Sequence, residues 1–508
     1  MKRDISRLKA EHFDLLVIGG GINGCAIARD AALRGIKTAL IEKDDFAAGA
    51  SGKTTKIIHG GIRYLEQFNL NLIYEALRER GILLRTVPKL VRPLEFIIPV
   101  YKGDPRPLIM MKTGVFIYDL LAGKGNIHCH RSLKKDEAAA LESNITPQGL
   151  KGGVLYCDAQ MDDIRLCLDN AISAYEAGSC VANKAEAEEF IKREGKITGA
   201  EARDRLTGER FSICARSVVN ATGAWSNRIV RADEPNAPFI TRPTKGIHLV
   251  YRKLPIARAM LFSARKDKRI LFAIPWRDYT LIGTTDTDFN DSADDVYATS
   301  NDLEYLLEEA RRVFPNEGID KGGVITTYAG LRPLMNTQGI ATWKVSREHL
   351  IKESASGLIS VVGGKYTTYR RLAEQVVDLV LVSLRARLCW NVIARPEISG
   401  RSLPCRQAGN LFKKCITAEQ GPSPAVSEER KGDLRSLIEH AVKDEMANNL
   451  KDLLIRRLQL ATTPSLGLNE LEDSAGIMAQ LLDWTPARKE SEIQAYKEEV
   501  RKNRECLK

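Results

Sequence analysis

The sequence lacks the signatures of several protein classes. None of its ten cysteines forms a CxxC pair, and such scattered cysteines suit neither a disulfide framework nor a zinc or iron–sulfur site. No apolar run is long enough to cross a membrane, because the longest candidate, residues 107–123, is interrupted by Lys112 and Asp119. The N-terminal residues include no apolar segment of the secretory type. We therefore expect reduced thiols, no bound metal, no membrane-spanning helix and a cytoplasmic location.

Acidic residues are outnumbered by basic ones. The formal net charge is +11, while the 44% hydrophobic content is that of a soluble globular chain. Residues 80–112 hold seven Lys and Arg against two acidic residues, and they are rich in Leu, Ile, Met and Phe. Such a segment, without an array of stacking aromatics, favours an anionic lipid surface over nucleic acid. A structural segment with a solvated face explains the same pattern equally well, and the overall charge also suits solubility or an anionic substrate.

Residues 14–42 predict one strand–helix–strand unit that binds a dinucleotide. An apolar strand leads to Gly19 at the tight turn, Gly21 lets the backbone approach a pyrophosphate, and Gly24 lets the helix pack on the strand. Glu42 ends the second strand, where a carboxylate can accept the ribose hydroxyls. Because an acidic residue disfavours a 2′-phosphate, FAD or NAD fits this site better than NADP.

Two later segments, 217–226 and 358–369, repeat the order of apolar strand, small-residue turn and helix. A loop rich in glycine and hydroxyl side chains, residues 50–64, enters a helix predicted near Arg63 and offers hydroxyl and N–H groups to phosphates and to a flavin edge. The predicted cofactor-binding residues are Gly19, Gly21, Gly24, Glu42, Ser51, Thr54, Thr55, His59, Gly60, Gly61, Ala221, Thr222, Gly223, Gly363, Gly364, Lys365 and Thr367.

The remaining segments predict a sheet and a helical unit. Residues 241–290 alternate like an antiparallel sheet with a hairpin at Arg277 and Asp278. Arg332 is expected in a turn, and Arg347 on a strand. Residues 396–424 resemble a linker, after which Leu and Met recur at helical spacing.

The chain resembles the FAD-dependent glycerol-3-phosphate dehydrogenase family over nearly its whole length. The segments that carry the resemblance are GGGINGCAIARDAALRG, KTTKIIHGGIRYLE, VVNATGAWS, KGIHLV, TTYAGLRPL, VVGGKYTTYRRLAEQ and DEMANNLKDLLIRRLQLA. HGGIRYLE and GGKYTTYR are specific, whereas the dinucleotide motif alone extends to many unrelated flavoproteins. Anaerobic relatives add a cysteine-rich iron–sulfur segment, which the sparse Cys389, Cys405, Cys415 and Cys506 do not match.

The resemblance implies an α/β flavoprotein with three parts. A dinucleotide-binding domain of discontinuous segments would comprise residues 1–80, 150–235 and 325–385. An antiparallel sheet that forms the substrate domain would comprise 81–149 and 236–324, and it would include most of the basic, apolar window at 80–112 whose composition favours membrane contact. A C-terminal helical domain would comprise 400–508.

The resemblance also implies FAD as cofactor and oxidation of sn-glycerol 3-phosphate to dihydroxyacetone phosphate, with electrons passed to membrane quinone. The protein would then lie on the inner face of the cell membrane as a peripheral protein that binds no nucleic acid, and a homodimer is compatible with this. Arg63, His248, Arg332, Arg347 and Lys365 fall on the family's substrate-site positions.

The chemistry of these side chains suggests a separate role for each of them. Arg332 and Arg347 suit the phosphate, because guanidinium groups bind phosphate in a bidentate manner. His248 is the first choice for the base that takes the hydroxyl proton, with a core histidine as the ordinary explanation. Lys365 would stabilise reduced flavin or a developing alkoxide, and Arg63 would hold the substrate hydroxyls or the flavin.

Three alternatives remain open. A glycerol-3-phosphate oxidase that uses oxygen would need the same residues. A flavin-dependent amine or amino-acid oxidase shares the fold, but it would need a carboxylate clamp and an apolar amine pocket. A dinucleotide-sensing binding protein would bind the cofactor without turnover.

Overall fold

The computed structural model describes residues 1–336, 348–389 and 434–508. The helices are α1 (Ile5–Ala10), α2 (Ile22–Leu33), α3 (Leu70–Thr86), α4 (Leu108–Ala122), α5 (Lys135–Leu141), α6 (Asp163–Glu176), α7 (Ser226–Asp233), α8 (Ser300–Val313), α9 (Tyr369–Cys389), α10 (Leu434–Glu445), α11 (Leu471–Leu481) and α12 (Pro486–Asn503). The predicted linker at 396–424 and Arg347 lie outside the described residues.

The strands build two sheets. They are β1 (His12–Ile18), β2 (Thr38–Ile41), β3 (Ile57–Ile58), β4 (Val91–Tyr101), β5 (Arg131–Leu133), β6 (Leu150–Met161), β7 (Cys180–Ala182), β8 (Ala185–Arg193), β9 (Lys196–Asp204), β10 (Arg210–Asn220), β11 (Thr241–Arg252), β12 (Ala259–Ser263), β13 (Ile270–Trp276), β14 (Tyr279–Gly283), β15 (Thr287–Asp288), β16 (Val324–Met335), β17 (His349–Glu353) and β18 (Leu358–Gly363).

The first sheet is parallel at its centre, in the order β18-β10-β1-β2-β7. Leu15 and Val17 of β1 lie in one apolar cluster, with residues of α2, α6 and α9, whereas Leu16 and Ile18 lie in the cluster on the opposite face. A strand that is buried on both faces has a continuous apolar sequence, which is why this unit could be recognised in the sequence. The carboxyl ends of β1, β10 and β18 bring the three glycine-rich turns to one edge.

The second sheet confirms the predicted antiparallel arrangement at 241–290. β13 and β14 form the hairpin around Arg277 and Asp278, and β11 lies between β14 and β16. Along β11, Ile247 and Leu249 pack in the cluster that contains α8, while Val250 packs in the cluster that contains α3 and α4. Because side chains of a strand alternate between faces, His248 lies on the same face as Val250.

The helix predicted near Arg63 is present as a short 3₁₀ helix, Ile62–Gln67, and the longer α-helix begins at Leu70. The helical spacing after Leu434 spans two helical elements, since the first helix ends at Glu445, Met446 has a positive φ, and a π-helical turn, Asp452–Arg457, follows.

The segment boundaries of the domains stay a prediction, but two strands pair in a different sheet from the one that these boundaries imply. β6 and β16, which the sequence analysis grouped with the nucleotide-binding segments, pair along their lengths with β4 and β11 in the second sheet. Within the three described ranges, no helix is long and apolar enough to span a bilayer.

Candidate active site

The first glycine-rich turn is shaped around the start of α2. A Cβ on Gly24 would lie 1.8 Å from the carbonyl oxygen of Gly19, so only glycine lets the helix approach the strand this closely. Glu42 follows β2, and its carboxylate accepts hydrogen bonds from the backbone N–H groups of Gly20, at 2.6 Å, and Asp44, at 2.7 Å. Two backbone donors therefore fix the carboxylate beside the N-terminus of α2.

One cavity of 810 Å³ extends along the carboxyl edge of the first sheet and beneath the second. Of the predicted cofactor residues, it is lined by Gly19, Gly21, Glu42, Ser51, Thr54, Thr55, His59, Gly61, Ala221, Thr222, Gly223, Gly363, Gly364, Lys365 and Thr367. Gly24 and Gly60 do not line it. Gly24 packs behind the turn, and the N–H of Gly60 donates to the phenol oxygen of buried Tyr118 at 2.7 Å.

The hydroxyl groups of the 50–64 loop form hydrogen bonds mainly with neighbouring elements of the protein. Ser51 Oγ accepts from the N–H of Ile22, at 2.9 Å, at the start of α2. Thr54 Oγ1 donates to Asp163, at 2.7 Å. The N–H of His59 donates to Thr367 Oγ1, at 3.1 Å, which ties the loop to the turn after β18.

Two cationic side chains, Lys365 and Arg63, lie where that loop meets β18. Lys365 Nζ donates to the carbonyl of Gly60, at 3.0 Å, and lies 4.1 Å from the ring centroid of Tyr64. Arg63 donates to the Tyr64 hydroxyl, at 2.9 Å. Burial lowers the pKa of Lys365 to about 8, with Arg63 acting in the same direction. Burial, with Lys365 and Arg63, also lowers the pKa of His59 to about 3, so this imidazole is neutral at physiological pH.

His248 is buried on the cavity side of β11. Its ring stacks on that of Tyr328, with centroids 5.0 Å apart, and its Nε2 lies 2.9 Å from Thr55 Oγ1. Burial, Arg332 and Lys56 hold the pKa of His248 well below its usual value. Within the described part of the chain, Nδ1 is buried and has no hydrogen-bond partner. The imidazole is therefore neutral, with one nitrogen uncommitted.

Arg332 lies within β16, so its expected position in a turn is wrong. Pro333 remains compatible with the strand because the pairing with β11 continues through it. Arg332 is opposite Thr244, and its guanidinium extends over Gly246, where a Cβ would come within 2.3 Å of it. It donates to the Thr284 hydroxyl, at 2.7 Å, and to the Thr285 carbonyl, at 3.0 Å.

Sequence reasoning missed several residues that line the same cavity. These are Lys56, Tyr64, Arg106, Lys268, Arg269, Asp286 and Tyr328. Lys56 Nζ forms a buried ion pair with Asp163, at 2.5 Å, and Tyr328 donates to the Thr54 carbonyl, at 2.8 Å. The alternation of TTYAGLR would have placed Tyr328 and Arg332 on one face of a strand, had that segment been recognised as one.

The cavity fits a dinucleotide in its chemistry. One part offers the fixed carboxylate of Glu42 and the start of α2, where Gly21 makes no side-chain capping bond and the N–H of Ile22 donates to Ser51 Oγ. The N-terminus of a helix favours an anion. His248, Arg332, Arg63 and Lys365 line the same cavity, and Arg332 is close enough to His248 to lower its pKa. The cavity therefore offers groups for a nucleotide and for a small anion.

Comparison with known proteins agrees with this geometry. Residues 14–370 match the family described as FAD dependent oxidoreductase, and residues 408–489 match the C-terminal domain of alpha-glycerophosphate oxidase. The glycerol-3-phosphate dehydrogenase of Synechocystis is 36% identical, over 99% of this chain and 98% of that protein. The aerobic glycerol-3-phosphate dehydrogenase of Staphylococcus aureus is 32% identical, over 97% of this chain and 94% of its own length.

Solved structures share the architecture. The glycerol-3-phosphate dehydrogenase from Bacillus halodurans complexed with FAD superposes with a TM-score of 0.76 at 27% identity, covering 98% of this chain and 96% of that one. Glycine oxidase from Bacillus cereus has a TM-score of 0.55 at 20% identity, with coverage of 76% and 99%, and shows a shared fold only. The chain belongs to the FAD-dependent oxidoreductases and, within them, to the glycerol-3-phosphate dehydrogenase family, with FAD as its cofactor.

Proposed function

We propose that this protein oxidises sn-glycerol 3-phosphate to dihydroxyacetone phosphate and passes the electrons to a membrane quinone. The observation that carries the proposal is that a neutral, buried His248, whose pKa Arg332 lowers, lines one cavity together with the cations Arg332, Arg63 and Lys365. A small phosphate dianion that bears an alcohol needs both kinds of group, cations for the phosphate and a base for the hydroxyl.

Arg332 is the proposed phosphate ligand among the described residues. Its side chain is 24% exposed, and the hydroxyl and carbonyl acceptors of Thr284 and Thr285 fix the plane of its guanidinium. A fixed guanidinium loses little conformational entropy when it binds an anion. Arg347, which lies outside the described residues, stays a predicted second ligand.

His248 is the proposed proton acceptor. Its neutral imidazole can accept the hydroxyl proton while FAD, when bound, supplies the acceptor for the hydride. The low pKa of His248 results from burial and from the neighbouring cations. Because a bound phosphate dianion offsets that positive potential, we expect substrate to raise the pKa of His248 toward the range of an effective base.

Lys365 and Arg63 are proposed to stabilise negative charge. Lys365 remains mainly protonated at pH 7, since its pKa is about 8. Its position against Gly60 and Tyr64 keeps the ammonium at the edge of the loop that the family motif assigns to flavin. A buried cation there lowers the energy of an alkoxide or of reduced flavin.

Membrane contact, which a quinone acceptor requires, involves more than the basic window. Arg80 of that window is fully buried and ion-paired with Asp158, so it adds nothing to a surface. Phe68, α3 and α4 expose an apolar face that lies partly inside the window and partly beside it. Its members are Phe68 (87% exposed), Leu70, Tyr74, Ile109 (71%), Met110, Phe116 and Leu120 (71%). We propose that this face, flanked by the basic side chains of the window, rests on the inner leaflet of the cell membrane.

A product assay tests the proposal. The purified holoenzyme should convert sn-glycerol 3-phosphate to dihydroxyacetone phosphate with a soluble dye as acceptor, and the rate should rise further with a short-chain quinone. Stoichiometric hydrogen peroxide without any added acceptor would instead identify the oxygen-using oxidase. Absence of the ketone product with every acceptor would contradict both.

A further inference from the structure

Asp45 is a buried carboxylate at the junction between the first sheet and the C-terminal helical segment. It accepts hydrogen bonds from Arg457, at 2.7 and 3.0 Å, from Arg456, at 2.5 Å, and from Asn183, at 2.9 Å. Both arginines belong to the π-helical turn Asp452–Arg457. Burial alone would raise the pKa of Asp45, but Arg457 and Arg456 outweigh it and lower that pKa, so the carboxylate stays ionised.

Further ion pairs around Asp45 connect the C-terminal helical segment with the first sheet. Asp452 accepts from Arg456, at 2.5 Å, and from Lys184, at 3.0 Å, and Lys184 follows β7 of the first sheet. Arg457 also donates to the carbonyl of Glu445, at 2.6 Å. Removing one member of such a buried group leaves a charge without compensation and is strongly destabilising.

Asp45 lies only three residues after Glu42, the carboxylate that is positioned for the ribose. The N–H of Asp44, between them, donates to Glu42. The 42–45 segment is therefore held at its start by β2 and Gly20, and at its end by arginines from the C-terminal segment. Arg456 also lines the cavity itself.

We propose that the C-terminal helical segment is part of the FAD site: Arg456 and Arg457 act through Asp45 as positioning residues that hold Glu42 in its ribose-binding conformation. The inference rests on FAD as the cofactor and is independent of the substrate. It gives the C-terminal segment a role in retaining FAD, distinct from any role in catalysis.

The test measures FAD affinity without turnover. Apoprotein of Asp45→Asn and of Arg457→Met is titrated with FAD, and binding is followed by flavin fluorescence and by the FAD-dependent rise in melting temperature. We expect the dissociation constant for FAD to increase roughly tenfold or more, while KM for substrate at saturating FAD stays at the parent value. Arg501→Met is the matched control, because Arg501 pairs with Glu498 and Glu505 on the exposed face of α12, and its FAD affinity should not change.

A double-mutant cycle separates positioning from general destabilisation. If Asp45 acts through Glu42, the combination Glu42→Gln/Asp45→Asn should weaken FAD binding by less than the sum of the two single effects. The cycle is measured at a temperature where circular dichroism shows every apoprotein folded, and Arg457→Lys provides a milder variant should Arg457→Met fail to fold. Strict additivity, or FAD affinities equal to the parent for Asp45→Asn and Arg457→Lys, would overturn the proposal.

Discussion

His248 and Tyr328 lie directly opposite each other on β11 and β16, and their rings stack with centroids 5.0 Å apart. The stack covers one face of the imidazole, while Thr55 Oγ1 lies 2.9 Å from its Nε2. The orientation of the proposed base thus depends on the pairing of two strands that are far apart in sequence.

Replacement of the base should slow chemistry more than binding. We expect His248→Ala to reduce the rate of flavin reduction at saturating substrate by roughly 10²–10⁴-fold, with a small change in substrate affinity, because a base acts in the transition state. Stopped-flow absorbance measures the rate. Tyr328→Phe keeps the stacked ring and is the control. An unchanged rate in His248→Ala would transfer the role to Lys365 or to water.

The pH dependence of flavin reduction should reflect the protonation of Lys365. Its pKa of about 8 lies below the usual value because of burial, and the proposed role needs the protonated form. The rate of flavin reduction should therefore fall as pH rises through about 8. In Lys365→Arg this decrease should move to higher pH, since a guanidinium remains charged. A parent profile that is flat between pH 7 and pH 10 would show that the ammonium is not required.

Two substitutions test whether the guanidinium of Arg332 binds the phosphate of the substrate. Arg332→Ala should weaken binding of sn-glycerol 3-phosphate by about 2–4 kcal/mol and leave FAD content unchanged. Gly246→Ala should weaken it in the same direction, because the new Cβ would lie 2.3 Å from that guanidinium.

Arg242→Ala is the control for both, since the partly exposed Arg242 pairs with Asp288 near the start of β11. Arg347→Ala should resemble Arg332→Ala. If the variants reduced their flavin with glycerol and with sn-glycerol 3-phosphate in the same ratio as the parent, the phosphate assignment would be wrong.

The glycine-rich turn should be intolerant of bulk on its cavity side. A Cβ on Gly21 would meet only Ser51 Oγ, at 3.1 Å, so Gly21→Val should fold and yet place its methyl groups where a pyrophosphate approaches. We expect this variant to purify without flavin. Gly476→Ala, in α11 with no atom closer than 4.0 Å to its new Cβ, should keep its flavin. Normal FAD content in Gly21→Val would refute the placement of the cofactor.

Membrane binding should depend on apolar and basic groups together. Vesicles with anionic lipid should co-sediment with the parent protein, and the interaction should weaken with salt. Phe116→Ser/Leu120→Ser should reduce co-sedimentation, as should charge reversal at Arg85, Lys89 and Arg92, while activity with a soluble dye persists. Leu206→Ser, an exposed apolar position away from α3 and α4, is the control. Unchanged sedimentation in both sets would place the contact elsewhere.

The parts of this molecule that follow from local sequence could be predicted. Apolar strands that end in glycine turns need only short-range information, so the turns after β1, β10 and β18 were identified correctly. Arg332 was misplaced because Gly330 and Pro333 resemble a turn, whereas pairing with β11 keeps the segment extended.

Long-range contacts could not be predicted from local patterns. Arg457 and Asp45 are 412 residues apart in the chain, and no periodicity relates them. The burial of Arg80 against Asp158 likewise removes a charge that the sequence analysis counted in the basic window, because a count of charges carries no information on pairing.

Anaerobic reduction of the bound flavin tests the central claim most directly. The holoenzyme is titrated with sn-glycerol 3-phosphate, with glycerol and with glycine, and the flavin absorbance band at about 450 nm is followed. We predict complete bleaching by sn-glycerol 3-phosphate at an equivalent or two per site, and none by the other compounds at the same concentrations. A flavin that stays oxidised with sn-glycerol 3-phosphate but is bleached by glycine would contradict the proposed function.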